Sequence, residues 1–196
     1  MNESEQIARA RAGDDAAFTR LVETYQTVIF NLCYRMLGDP AEAEDAAQET
    51  FLRAYSQLPR YDPGRSFKTW LLSIASHHCI DRLRKRRLTW LSLDESLEPH
   101  PALHEQSPGP EETSVKREQT AVIATLLARL APDDRSMVVM RYWYDLSYEE
   151  IADATGATVS AVKSRLHRAR AQLATMLNSK PQAQRQPART AVTLGG

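Results

Sequence analysis

The chain has 196 residues, and its 25 lysines and arginines balance its 25 aspartates and glutamates, so the formal net charge is zero. A composition of 42% hydrophobic and 26% charged residues is typical of an ordinary soluble protein, and no apolar run approaches the roughly 20 residues of a membrane span. The acidic N-terminus lacks the apolar segment of a secretory signal and two cysteines are too few for a disulfide scaffold, which together predict a cytoplasmic protein with reduced thiols.

The charges are distributed unevenly along the chain. Residues 1–88 carry a net charge of +1, residues 89–116 carry −5, and residues 117–196 carry +4. The acidic middle stretch contains four prolines, a composition that is typical of a linker. We therefore predict two small helical domains, 1–88 and 117–178, joined by a flexible acidic linker over 89–116. The polar segment 179–196 has no apolar period and is predicted to be a disordered tail.

Two helices are predicted in the first half of the N-terminal domain. Asp14 can cap a helix whose apolar residues recur at steps of three and four as far as Leu37, and Gly38 ends it. Asp39 followed by Pro40 opens a second helix that extends to about residue 57. One side of that second helix alternates acidic and amide side chains with alanines. Such a side is either a solvated face or a docking surface for a basic protein element.

The third predicted helix of this domain changes character along its length. Proline and glycine place a loop at 59–66, and Ser66 can cap a helix that extends to about Arg87. The apolar period begins at Phe67 and fails after Ile74, where polar and then strongly basic residues follow. A basic helix end can neutralise phosphates of a nucleic acid, although cations also suit any helix C-terminus. Both interpretations stay open on this segment alone.

The C-terminal domain contains the pattern of a helix-turn-helix. Ser147 and Glu150 form a capping box, Gly156 suits a tight turn, and Thr158 can cap the next helix. That last helix has an apolar stripe and, opposite it, a polar face. The polar face can pair with base edges and phosphates in the major groove, and the alternative is a plain helical hairpin with solvated cations. The residues of this face are Ser160, Lys163, Ser164, His167, Arg168 and Arg170.

Other classes of protein receive little support from the residues. His77, His78 and Cys79 are adjacent, and adjacent side chains on a helix diverge by about 100°, so they cannot close one metal site together. His100 and His104 lie in the proline-containing stretch. We find no glycine-rich phosphate loop and no nucleophile motif, and we predict no cofactor, no metal and no enzymatic activity. A helix-turn-helix regulator with an unrelated N-terminal sensor domain remains an alternative.

Three segments resemble one protein family. Residues 39–55 resemble the core-polymerase-binding helix of bacterial sigma factors. Residues 67–75, followed by 81–86, resemble their promoter-melting and minus-ten-reading helix. Residues 146–152 with 162–170 resemble their minus-thirty-five helix-turn-helix. The resemblance covers most of the chain in the right order without an additional domain, which is the layout of the extracytoplasmic-function (ECF) sigma factors.

The resemblance implies an all-α fold, with a sigma-2-type helical bundle and a sigma-4-type helix-turn-helix domain, and a non-enzymatic initiation subunit. It implies as partners core RNA polymerase, through the clamp helices of the largest subunit and the flap, together with promoter DNA and an anti-sigma factor. The implied polymerase-binding residues are Asp45, Gln48, Glu49 and Phe51. Those implied to contact the minus-ten element, with a pocket for a flipped base, are Arg60, Arg65, Lys68, His77, Asp81, Arg84, Lys85 and Arg86. Those implied to contact the minus-thirty-five element are Arg141, Ser160, Lys163, Ser164, His167 and Arg168.

Overall fold

The computed structural model describes residues 2–93 and 114–178, and within these ranges every regular element is helical, as the all-α prediction requires. The helices of the described ranges are α1 (Glu3–Arg11), α2 (Asp15–Leu37), α3 (Pro40–Gln57), α4 (Phe67–Leu93), α5 (Ser114–Ala128), α6 (Pro132–Trp143), α7 (Tyr148–Thr155) and α8 (Val159–Asn178), with a 3-10 turn at Leu58–Arg60. None of these described helices is long and apolar enough to cross a membrane. The tail, His100, His104 and most of the predicted linker lie outside the described residues.

Helix α2 lies at the centre of the first unit, which consists of α1 to α4. Asp14 caps α2 by accepting a hydrogen bond from the backbone N–H of Ala17 at 3.0 Å, and Gly38 ends it with φ at 82°, both as predicted. Helix α1 was not predicted, because its buried apolar surface consists of little more than Ile7 and Ala10. It packs on α2, and Arg9 forms an ion pair with Asp14 at 2.5 Å.

Helix α3 packs closely on α2 and α4 through small side chains. Asp39 accepts a hydrogen bond from the Glu42 N–H at 2.8 Å, and Pro40 occupies the first helical position, where its missing N–H costs no hydrogen bond. The inward face is made almost entirely of alanines, which let the helix axes approach each other. Its buried residues are Ala43, Ala46, Ala47, Thr50 and Ala54.

The buried face of α4 continues past Ile74, contrary to the sequence-based expectation. Ser76 is 1% exposed because Ser136 of α6 lies on it, and Cys79 is 0% exposed because it faces α2. This burial is not predictable from the apolar period, since small polar and thiol side chains break it. Cys79 faces Cys33 of α2, which is also fully buried, and the hydrogen bond between the thiols together with burial raises the pKa of Cys79.

The second unit consists of α5 to α8 and has its own apolar core. Helix α6 supplies much of that core. The predicted capping box is present at the start of α7: Ser147 Oγ accepts from the Glu150 N–H at 3.0 Å, and the Ser147 N–H donates to Glu150 Oε2 at 2.8 Å. Gly156 makes the turn with φ at 67°. The core side chains of α6 to α8 include Met137, Val139, Met140, Ile151, Val162, Leu166 and Ala169.

The two units pack against each other, with α6 and α7 on α4 and with α5 and α6 on α2. At the centre of this contact the hydroxyls of Ser76 and Ser136 are hydrogen-bonded at 2.5 Å. Tyr144 donates its hydroxyl proton to the Val28 carbonyl oxygen at 2.8 Å. The contact therefore joins the two units through polar groups as well as apolar ones.

Candidate functional site

The outer face of α3 is acidic and borders an apolar groove. The buried alanines fix which side of α3 points outward, and they leave Asp45 and Gln48 exposed and Glu49 half-buried. Arg53 donates to Glu49 Oε1 at 2.7 Å, and this hydrogen bond lowers the pKa of the Glu49 carboxyl. The face thus presents carboxylates and an amide on a rigid helix, which suits a basic partner.

A groove of about 430 Å³ lies between α2 and α3 beside this acidic face. Phe51 and Gln48, two of the four predicted polymerase-binding residues, line it, whereas Asp45 and Glu49 lie outside its lining. Leu52, next along α3, is 67% exposed. Large exposed apolar side chains beside an apolar groove are typical of a protein-binding surface. The other lining residues are Val22, Gln26, Thr27, Phe30, Glu44 and Ala47.

An aromatic cluster anchors the loop before α4. The ring centroids of Tyr61, Phe67 and Trp70 lie 4.9 to 5.4 Å apart, and Tyr61 is 4% exposed. The Tyr61 hydroxyl donates to the Arg65 carbonyl oxygen, which folds the loop back on itself. Because the aromatic rings occupy the inside of the loop, Arg60 and Arg65 are left exposed on its outside.

The predicted minus-ten residues of α4 divide between two sides of the helix. His77, Asp81 and Arg84 follow one another at steps of four and three, so they form one stripe, and all three are exposed. The Nδ1–H of His77 donates to the Ser73 carbonyl oxygen at 2.8 Å. Lys68 lies two and a half turns before His77 and so points to the opposite side.

On that opposite side the cations contact other parts of the chain. Lys68 Nζ lies 5.7 Å from the centre of the Tyr144 ring. Arg86 Nη1 lies 3.3 Å from Glu42 Oε2. Lys85 is exposed. The structure therefore gathers His77, Asp81 and Arg84 and separates Lys68 and Arg86 from them.

Helix α8 presents its basic face outward. Thr158 accepts from the Ala161 N–H at 3.2 Å and so fixes the helix start, and the buried stripe of Val162, Leu166 and Ala169 fixes its orientation. Steps of three and four then place every predicted minus-thirty-five residue of α8 on the opposite, exposed side. These residues are Ser160, Lys163, Ser164, His167 and Arg168.

Arg141 and Lys163 both lie over the Tyr148 ring, Lys163 with its Nζ 5.6 Å from the ring centre, and Arg141 in addition donates a hydrogen bond inside the second unit. Its Nη1 donates to the Leu146 carbonyl oxygen at 2.8 Å, and it lies 5.3 Å from the centre of the Tyr148 ring. It thereby holds the bend at Asp145, where φ is 53°, in front of α7. The geometry gives Arg141 a structural role, and its DNA contact stays a prediction.

Comparisons with known proteins show which family the chain belongs to. The family model "Sigma-70 region 2" matches residues 21–89, and "Sigma-70, region 4" matches residues 120–173. The chain is 36% identical to the ECF RNA polymerase sigma factor SigW of Bacillus subtilis over 169 residues, which cover 84% of this chain and 90% of SigW. This chain belongs to the ECF RNA polymerase sigma factors. The RNA polymerase sigma-H factor of Pseudomonas aeruginosa is also similar, at 33% identity over 84% of this chain and 88% of that protein.

Solved sigma-factor structures resemble this one. The structure of CnrH in complex with the cytosolic domain of CnrY has a TM-score of 0.67 and 26% identity, and the match covers 91% of this chain and 98% of that one. The sigma factor RpoE of Bartonella quintana, in complex with the anti-sigma factor NepR, has a TM-score of 0.64 at 22% identity over 83% of this chain and 98% of that one, and shares the fold. The region 2 match spans α2 to α4 of this sigma factor, and the region 4 match lies within α5 to α8.

No sequence pattern predicts the residues at which the two units of this sigma factor meet. Arg135 is 7% exposed: its Nη1 donates to the Met36 carbonyl oxygen at 2.5 Å, and its Nη2 donates to that of Ala128 at 2.7 Å. Burial lowers the pKa of Arg135 to about 10, so it stays charged at neutral pH. One cation thus satisfies carbonyls at the ends of α2 and α5. A single arginine on a helix carries no pattern that would have predicted this.

Across the described residues, no group of three or more His, Cys, Asp or Glu side chains lies close enough together to hold a metal ion. His77 and His78 point to different surroundings: His77 is exposed, whereas His78 is half-buried against α3. Burial, reinforced by the nearby Arg53, lowers the pKa of His78.

Proposed function

We propose that this sigma factor binds core RNA polymerase in the cytoplasm and directs initiation at promoters with a minus-ten and a minus-thirty-five element, as a binding subunit without catalytic activity of its own. The observation that carries the proposal is the pairing of region 2 and region 4 in one chain. Each region presents an exposed face of the required chemistry: an acidic one on α3 and basic ones on α4 and α8.

Core polymerase would dock on α3. Asp45, Gln48 and Glu49 supply polar contacts to the clamp helices of the largest subunit, and Phe51 supplies an apolar contact from the groove. Charged groups at the rim of an interface steer the encounter, while a buried aromatic anchor supplies most of the affinity. The second unit would contact the flap. Because each unit has its own contact with the polymerase, the polymerase would hold both units over one promoter.

The minus-ten element would be read by α4 and the loop before it. A base flipped out of the non-template strand can be held by the loop from Arg60 to Phe67 and read by His77 and Asp81. Because Nδ1 of His77 donates to Ser73, its neutral ring offers Nε2 as an acceptor, and Asp81 offers carboxylate oxygens. Two acceptors one turn apart favour a base with an amino donor.

The remaining cations near α4 would position the single strand through its backbone. These are Arg65, Lys68, Arg84, Lys85 and Arg86. Contacts to phosphates carry no sequence information but supply much of the affinity. The sequence preference of this region would then come from the base pocket rather than from the cations.

The minus-thirty-five element would be read by α8 in the major groove. Helix-turn-helix proteins place the N-terminal part of the second helix against base edges, and Ser160, Lys163, Ser164, His167 and Arg168 lie there. Arg141 would add a contact at the edge of this face. We also propose that an anti-sigma factor regulates the chain, since RpoE, which has the same fold, is bound by NepR.

The polymerase-binding proposal can be tested with Asp45→Arg, which places a cation on the face that would meet a basic partner. We expect roughly tenfold weaker binding to purified core polymerase, and loss of promoter-specific transcripts in a reconstituted assay. Glu5→Arg makes the same change in charge at an exposed position of α1, which packs on α2 and carries none of the proposed polymerase contacts, and it should leave core binding unchanged. Wild-type core affinity for Asp45→Arg would refute the assignment of this face.

A further inference from the structure

The two cysteines of the chain meet inside the first unit, although they belong to different helices. Cys33 of α2 and Cys79 of α4 are both fully buried, and a hydrogen bond joins their thiols. The sequence contains no third cysteine. Each thiol therefore has the other as its only possible partner within the chain, and the fold holds the two sulfurs in contact.

The surroundings of Cys79 act on its thiol in opposite directions. Arg82 of α4 and Arg135 of α6 lie close enough to favour its thiolate, which is the form that oxidants attack. The hydrogen bond to Cys33 and burial outweigh both cations, so the pKa of Cys79 is raised and this thiol keeps its proton. Cys33, whose sulfur accepts that hydrogen bond, is therefore the thiol at which oxidation begins.

Hydrogen peroxide can convert such a pair to a disulfide in two steps. The Cys33 thiolate attacks one peroxide oxygen, so that an S–O bond forms, the O–O bond breaks, and the leaving hydroxide takes up the proton that Cys33 released. The Cys79 sulfur then attacks the sulfenic acid, so that the S–S bond forms, the S–O bond breaks, and a second water leaves with the Cys79 proton. The sulfurs together lose two electrons, which the peroxide gains.

A disulfide at this place would draw α4 towards α2. A covalent S–S bond is much shorter than a hydrogen-bonded contact between thiols, so the backbone at Cys79 has to shift. His77 and Asp81 lie two residues before and after Cys79, and both are exposed. The shift therefore displaces the two side chains that the proposed function assigns to the flipped base.

We propose that Cys33 and Cys79 are a redox pair, which hydrogen peroxide closes to a disulfide between α2 and α4, and that this disulfide weakens reading of the minus-ten element. The effect on DNA rests on the proposed function, whereas formation of the disulfide does not. In the cytoplasm, where the proposed function places the chain, a disulfide is typically a transient redox signal. The minus-thirty-five face of α8 lies in the other unit and keeps its affinity.

Formation of the disulfide can be tested on the full chain by mass spectrometry. Reduced protein is treated with hydrogen peroxide, the peroxide is removed with catalase, and free thiols are then alkylated in denaturant. We expect a wild-type chain that has lost two hydrogens and takes up no alkyl group, and dithiothreitol should restore both alkylation sites. Cys33→Ser and Cys79→Ser each keep one thiol and should not lose the two hydrogens.

A second treatment separates access to the pair from its geometry. The chain is unfolded and then refolded in mixtures of reduced and oxidised glutathione, which reach both sulfurs while the fold forms. The folded chain should hold the disulfide in mixtures that leave the denatured chain reduced, because the fold keeps the sulfurs together. A folded chain that stays reduced in either treatment overturns the proposal: the first would show that peroxide does not reach the pair, the second that the packing excludes the bond.

The effect on DNA is tested with the oxidised chain, freed of peroxide before core polymerase is added. The probes are the single-stranded non-template minus-ten segment and the minus-thirty-five duplex of a promoter mapped by 5′-end sequencing after overexpression. We expect roughly tenfold weaker binding of the single strand by the oxidised complex, and equal binding of the duplex. Cys33→Ser after the same treatment should bind both probes as it does untreated, which controls for oxidised methionines.

The possible outcomes distinguish this inference from the proposed function. Equal single-strand binding by the oxidised and reduced wild-type complexes overturns the regulation, even where the disulfide has formed. An equal loss in Cys33→Ser overturns it too, because the effect would then belong to other residues. Failure of the reduced wild-type chain to bind core polymerase would refute the proposed function, while the mass measurement would still report whether the pair closes.

Discussion

Helices α4 and α8 carry similar basic residues in the sequence, but in the structure these residues have different surroundings. On α8, the cations Lys163 and Arg168 lie on an exposed face opposite an apolar stripe. On α4, Arg84 is paired with Asp133 of α6, and Arg86 is paired with Glu42 of α3. A run of basic residues therefore predicts a polyanion-binding surface without revealing whether the chain already occupies it.

The difference follows from what each helix packs against. Helix α8 buries one side in its own unit. Helix α4 is buried by its own unit along its first turns and at Cys79, which faces α2, and by the second unit around Ser76. The second unit places a carboxylate beside α4, since Asp133 of α6 pairs with Arg84. Asp133 lies in the first turn of α6, where the helix dipole favours an anion.

The largest effect should come from removing the cation that ties the units together. Arg135→Ala leaves buried carbonyls of Met36 and Ala128 without their donor, so the free energy of unfolding should fall by about 3 kcal/mol. Urea denaturation measures this change. Arg129→Ala, an exposed neighbour, should cost less than about 0.5 kcal/mol. Equal stability of the two variants would show that Arg135 does not hold the units.

A change on the open helix should act directly on duplex binding. Arg168→Ala should lose about 1–3 kcal/mol on the cognate minus-thirty-five duplex if Arg168 reads a base, roughly a ten- to hundredfold loss of affinity. Fluorescence anisotropy against cognate and scrambled duplexes measures it. A uniform loss on both duplexes would instead assign Arg168 to a phosphate.

The corresponding change on α4 removes Arg84, and it should have little effect on DNA binding by the free chain. Arg84→Ala should alter single-strand affinity by less than about threefold, because Asp133 already holds the guanidinium. Within a reconstituted polymerase complex, where the proposed minus-ten contacts form, the same change should weaken the open promoter complex more strongly. A free-chain loss as large as that in the complex would contradict the contrast between α4 and α8.

The smallest effect concerns the histidines of the two helices. His78 of α4 is half-buried with a lowered pKa, whereas His167 of α8 is exposed. Below the ordinary histidine pKa of about 6.5, the unfolded chain binds a proton that folded His78 resists, so stability should fall as the pH drops through this range. Thermal melts from pH 7.5 to 5.5 measure the slope. His78→Gln should flatten it.

Local features of the fold were predictable because their causes are local. Asp14, Asp39, Ser147 and Thr158 cap the helices that they were expected to cap, and Gly38 and Gly156 adopt the left-handed backbone. The inward faces of α3 and α8 follow from apolar spacing alone, and so does the outward direction of the residues opposite them. Apolar spacing in the sequence therefore predicts which side of each of these two helices is polar and exposed.

The contact between the units could not be predicted, because it depends on single residues with no repeat. Ser76, Ser136 and Arg135 break the apolar period of their helices, and in a sequence they resemble surface positions. Their burial is determined by a surface that is distant in sequence. The same holds for Arg84, whose partner lies 49 residues away. The domain bounds and the assigned contact residues stay predictions, which the experiments above address.

The facing thiols of Cys33 and Cys79 provide a natural probe for local opening of the fold. Both are fully buried, and the raised pKa of Cys79 keeps it protonated, so alkylating reagents can modify it only when the surrounding helices part. Cys79 lies on α4 near Arg135, at the boundary between the units. The rate at which it is alkylated in the native chain therefore reports how often the helices around the two thiols separate, without any added label.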